Sequence, residues 1–174
     1  MSAAVLIARL ILGLGVASHG AQKLFGWFGG HGPAGTGAFM ESLGFRPGAF
    51  FAVAAGLGEL AGGILLAAGF LGGLGPALVI MVMLVAIVTV HLRNGFFASN
   101  NGIELPAMVI AGALALDFGG MGRYTVDRLL GPDIFTFGSI RLYLIAGAVI
   151  VALLTLAARH RDVLPQQTAK PSST

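Results

Sequence analysis

Five apolar stretches, each roughly 16–22 residues long, limit this chain to one class of structure before any single residue is weighed. In hydrocarbon every backbone N–H and C=O must be paired, which leaves helices and closed barrels. Barrel strands alternate over about 10 residues, and these stretches do not alternate. Composition agrees: 56% of the 174 residues are apolar, only 10% are charged, and mean hydropathy is +0.91, values foreign to a soluble domain. The sequence predicts an all-α, multi-pass integral membrane protein with the lipid bilayer as its first partner, placed in the cell membrane. The net charge of +3 and the pI near 10.0 come from Lys and Arg at helix ends and in the tail, a pattern that orients a membrane protein and argues against nucleic-acid binding. The chain has no cysteine. A redox role therefore runs through a bound cofactor or a partner, not through thiol exchange or a Cys-ligated cluster.

Taken in order, span 1 covers Ala4 to Phe25 and is retained, because Met1-Ser2-Ala3-Ala4 lacks the basic start of a signal peptide. Gly26 to Gly48 reads as a mobile glycine-rich loop carrying a short stretch from Ala38 to Leu43. Its Gly30-His-Gly32-Pro-Ala-Gly35 matches GxGxxG formally, but no strand precedes it, so no phosphate site is read there. Span 2 covers Ala49 to Leu71. Span 3, Ala77 to Leu92, is entered through Pro76 at the first helical position. Span 4, Ile103 to Phe118, follows the capping pattern Asn101-Gly-Ile-Glu104. Span 5, Ser139 to Ala158, is plain and apolar, suited to anchoring or packing. The division predicted is an antiparallel four-helix transmembrane bundle over residues 1–131, one additional C-terminal transmembrane helix over 132–161, and a disordered polar tail over 162–174.

The polar residues inside the spans carry the functional reading. Ionisable groups in a bilayer cost roughly 2.5–3.5 kcal/mol each on insertion scales, and they point into bundle interiors or wet cavities. Glu59 lies ten residues into span 2, near mid-membrane, and is the most expensive of them. Its neighbours Gly58 and Gly62 form a GxxxG that lets another backbone approach. His19, Gln22 and Lys23 stand at i, i+3 and i+4, so they are expected on one inward face. Because spans 1 and 3 run the same way, His91 falls on the His19 side, and Glu104 begins span 4 at that level. Arg9 enters span 1 from the opposite end. A depth difference of about two turns, near 10 Å, predicts an Arg9–Glu59 ion pair, since either charge alone would be costly. Polar donors beneath apolar walls suit the carbonyl oxygens of a quinone-like headgroup held by His19, Gln22, Lys23 and Glu104, with Glu59 and His91 as the catalytic proton carriers. No Glu-x-x-His pair is present, and no metal is expected. Each of these residues also has a plain structural reading: capping for Glu104, bundle stability for Arg9 and Glu59.

His19-Gly20-x-Gln22-Lys23-Leu24-Phe25-Gly26, Gly58-Glu59-Leu60-x-Gly62-Gly63, His91 with the following Asn-Gly, Glu104-Leu-Pro106 and Gly122-Arg123-Tyr124-Thr125-Val126-Asp127 together resemble the DoxX family of small four-helix membrane proteins. The resemblance covers about residues 5 to 131. It implies a quinone-linked or thiol and sulfur redox setting related to oxidative stress. Relatives include a thiosulfate:quinone oxidoreductase subunit and a membrane oxidoreductase assembly with a superoxide dismutase and a sulfurtransferase. Span 5 departs from the four-helix plan and puts the termini on opposite sides. Lys23, Arg46, Arg93, Arg159, Arg161 and Lys170 on one side against Arg9, Arg123, Arg128 and Arg141 on the other favour a cytoplasmic C-terminus. The expected function is a membrane oxidoreductase component binding a quinone. The alternative is a non-catalytic anchor or scaffold for soluble redox enzymes. The glycine faces permit an isolated bundle or a homo-oligomer.

Overall fold

The computed structural model describes residues 2–131 and 138–160. The tail assigned to 162–174 lies outside the described residues, as do 132–137 and 161 at the two ends of the fifth-span segment. Regular structure among the described residues is helical throughout: α1 (Ser2–Phe25), α2 (Gly32–Ser42), α3 (Gly48–Ala68), α4 (Leu74–Ala86), α5 (Glu104–Gly119), α6 (Val126–Leu130) and α7 (Gly138–Ala157). Helices α1, α3, α4 with its extension to Asn94, and α7 are long and apolar enough to cross a membrane. The 16 residues of α5 reach ~24 Å at 1.5 Å per residue, less than a hydrocarbon core of about 30 Å.

Close helix contact here rests on missing side chains, because lipid supplies no hydrophobic force between spans. A Cβ on Gly20 would sit 2.5 Å from Leu60 N, and one on Gly13 would sit 2.5 Å from Gly63 O. The face of α1 that carries Gly13, Ala17 and Gly20 thus meets the face of α3 that carries Gly56, Gly63 and Ala67, and the two helices run antiparallel. The expected Gly58–Gly62 pair serves a different neighbour. Its glycines admit Val82 and Leu78 of α4. Val16, Leu66, Val79, Ile80, Ala113 and Leu116, drawn from α1, α3, α4 and α5, form one buried cluster. Helix α7 packs against α4.

Several boundaries differ from expectation for local reasons. The segment 26–48 is not a loop but carries α2, entered through Pro33 in the first turn. Its glycines lower helix propensity, yet Gly37 lets α2 lie on the start of α3, where a Cβ would be 3.0 Å from Ala49 N. Packing overrides propensity. Helix α3 stops at Ala68 because Gly69 turns left-handed (φ +62) and the Phe70 N–H returns to Leu65 O at 3.0 Å. Helix α4 begins at Leu74, two residues before Pro76. Its end widens into a π-helical turn over Ile87–His91, where Ile87, Val88, Thr89 and Val90 crowd as consecutive β-branched residues and the Thr89 hydroxyl bonds back to Val85 O at 2.8 Å.

Candidate functional site: a buried Lys–Glu pair beside a polar cavity

Glu59 is 3% exposed, and Lys23 Nζ donates to its Oε2 at 2.5 Å. Geometry selects this partner. Helical side chains lean toward their own N-terminus, so in the antiparallel α1–α3 pair Lys23 and Glu59 lean toward each other. Arg9 leans the other way. It is level with Gly69, where a Cβ would strike its guanidinium, ten residues or ~15 Å along α3 from Glu59. The predicted Arg9–Glu59 pair is therefore not formed. Arg9, 1% exposed, donates instead to Met121 O at 2.8 Å and Tyr124 O at 2.5 Å.

The shared inward face predicted for His19, Gln22 and Lys23 divides, because i, i+3 and i+4 spread over about 100° of a helix surface. Lys23 turns to α3 and pairs with Glu59. His19 is exposed; its Nδ1 donates to Gln22 Oε1 at 3.1 Å, and Gln22 Nε2 donates to Phe28 O at 3.1 Å. Gln22 and Lys23 then line a cavity of ≈ 380 Å³ with Gly29, Gly30, His31, Gly35, Thr36 and Phe39. Lys23 thus stands on the buried carboxylate and on the cavity wall at once. The sequence carries no local signal for His31 and Thr36 as cavity groups, since their glycine-rich segment has the composition of a loop.

His91 and Glu104 brace a separate turn. His91 Nδ1 donates to Asn101 O at 2.8 Å, Asn94 Nδ2 reaches the same carbonyl at 3.2 Å, and Glu104 Oε2 accepts from Ala98 N at 2.8 Å. The expected capping box is absent. Ile103 precedes the helix, no side chain caps it, and Asn101 is left-handed at φ +60. His91 lies nine residues, ~13 Å, past Val82, the α4 residue against Gly58; the structure does not bring it to the Lys23–Glu59 pair.

At the opposite end, sequence reading missed Asp117, Asp127 and Arg141. The Asp127 carboxylate accepts from Leu71 N and Gly72 N, each at 2.9 Å. With Arg9 it closes the 119–127 segment over the ends of α1 and α3. Asp117 is fully buried. Arg141 of α7 donates to its carbonyl at 2.6 Å and approaches its carboxylate at 3.6 Å, which makes the fifth span more than a plain anchor. The available signal was the charge sign: an Asp at the end of span 4 and an Arg at the start of span 5 share a membrane side. Among the described residues no group of three or more His, Asp or Glu gathers closely enough to hold a metal ion.

Membrane-length helices packed through glycine faces, with a lysine–glutamate pair enclosed between two of them, define a small polytopic membrane protein. Its family follows from comparison. The DoxX model matches residues 4–92, 89 of the 174, and the chain belongs to the DoxX family. No curated protein and no solved structure matches it. The matched region contains Arg9, His19, Gln22, Lys23, Glu59 and His91, and ends before Glu104 and the 122–127 motif.

Proposed function

We propose that the protein is a cell-membrane component of a redox system, an antiparallel four-helix bundle with α7 as a fifth span, and that it binds a quinone-like headgroup in the cavity between α1 and α2. The observation that carries this reading is the double placement of Lys23, on Glu59 at 2.5 Å and on the cavity wall. Donors suited to carbonyl oxygens line the cavity: the Lys23 ammonium, the Gln22 amide, the His31 ring and the Thr36 hydroxyl. Its volume falls in the range of small-molecule sites, about 300–1,000 Å³. When bound, such a headgroup supplies two-electron, two-proton chemistry. Lys23 orients it and stands between the cavity and the Glu59 carboxylate, to which it donates; Gln22 is fixed by Phe28 O and His19. Electrons come from a soluble redox partner.

The test is lipid extraction and mass spectrometry on purified protein, wild type beside Glu59→Gln and Lys23→Met. Near-stoichiometric quinone in wild type and at least about tenfold less in the folded Lys23→Met protein is expected, the loss of one charge-assisted contact. Folded wild type without quinone sinks the reading. A second reading, an anchor that organises soluble redox enzymes, is favoured by the other end of the molecule, where Arg9 and Asp127 are spent on backbone groups. Capture of such enzymes that survives Glu59→Gln supports it.

A further inference from the structure

A second cavity, ≈ 240 Å³, lies on the other side of α2, away from the Lys23 cavity. It is walled by Met40, Phe45, Phe50 and Phe51 toward its outer end and by Ala55, Val82 and Val151 deeper in. Phe50 and Val151 are exposed, so the groove opens sideways, toward lipid in a membrane protein. Only Thr155 brings a hydroxyl to the wall, and that hydroxyl is bonded to Val151 O at 2.8 Å. Nothing in the groove asks for a polar ligand.

Its outer rim is different. The Arg159 guanidinium donates to Leu43 O, and His160 N donates to Gly44 O at 2.8 Å. These bonds stitch the end of α7 to the turn that carries Phe45 and exposed Arg46. Arg46, next to the lining residue Phe45, and Arg159 and His160, bonded to the same turn, thus stand near the outer end of an apolar groove. From Arg159 to Val151 the wall descends eight residues, ~12 Å, the depth of an acyl chain's upper half. A tail-lined groove under a cationic rim has the chemistry of one membrane constituent.

The geometry points to a binding site for an anionic phospholipid, one acyl chain lying in the groove between α3, α4 and α7 and the phosphate at Arg46 and His160, with Arg159 beneath. The bound lipid fastens α7 to the bundle at the end opposite the Asp117–Arg141 contact. The site shares no residue with the proposed headgroup cavity, so its failure and that of the redox reading are separable.

The test is native mass spectrometry of the full chain offered equimolar phosphatidylglycerol and phosphatidylcholine in detergent. Wild type is expected to retain phosphatidylglycerol at least about fivefold over phosphatidylcholine, the worth of one cation near the headgroup. Arg46→Gln with His160→Gln, both exposed, reduces the two lipids to near parity while the fold stays intact. Ala54→Phe, from an exposed position on the groove wall, displaces both. Equal retention by wild type, anionic retention unchanged by Ala54→Phe, or a lipid-free dimer with the groove occluded by a second copy overturns the site.

Discussion

At the scale of single residues, the molecule settles three of its charged side chains in three ways: buried Glu59 with an opposite charge, buried Arg9 with two backbone carbonyls, and half-buried Asp127 with two backbone amides. The first is the most fragile, because removing one partner strands the other in a low-dielectric interior. Lys23→Met is expected to destabilise the protein by about 3–5 kcal/mol, whereas Lys23→Met with Glu59→Met restores most of the loss, as for other buried pairs replaced by apolar side chains. Thermal unfolding in detergent measures both. A double variant no more stable than Lys23→Met would mean that the pair is not the unit of stability claimed for it. The residues themselves were legible, since mid-span Glu59 and inward Lys23 are conspicuous in an apolar sequence. Their pairing was not, because position along each span gives depth alone. The lean of each side chain toward its own N-terminus, which favours Lys23 and turns Arg9 away, depends on which helices are antiparallel neighbours.

At the scale of elements, glycines decide which helices touch. Gly20→Ala brings a methyl within 2.5 Å of the Leu60 backbone and is expected to cost about 1–3 kcal/mol by overpacking. Gly15→Ala, on the same helix with nothing within 4 Å, is expected to be neutral or slightly stabilising, since alanine is the better helix former. Comparable losses in the two variants, measured by unfolding in the same detergent, would show that helix propensity and not the α1–α3 contact sets stability here. The long helices were readable from hydropathy to within a few residues. Helix α2 was not, because Gly32, Gly35 and Gly37 signal a loop locally while the close approach of Gly37 to Ala49 rewards a helix. The π-helical end of α4 was equally hidden, although its run of four β-branched residues is plain in the sequence.

At the scale of the whole molecule, four helices are long and apolar enough to cross a membrane, and the proposed bundle, with α5 as a further span, puts the Asn100 turn and the Arg123 segment on opposite membrane faces. The absence of native cysteine makes this directly measurable. Single cysteines at exposed Asn100 and Arg123 should react with an impermeant maleimide from opposite sides of sealed vesicles, and labelling of both from one side would refute the five-span topology. Hydropathy and the cost of unpaired backbone in lipid were enough, without coordinates, to dictate an all-helical membrane protein, and the ordered motifs from His19 to His91 carried its family. Those are properties of the chain read one segment at a time. The tertiary structure alone decided that Lys23 and not Arg9 answers Glu59, that His91 and Glu104 brace a turn of their own, and that Arg141 ties the last helix to Asp117. Each depends on which faces of separate helices meet and at what register, and that is set by small-residue contacts between segments far apart in sequence.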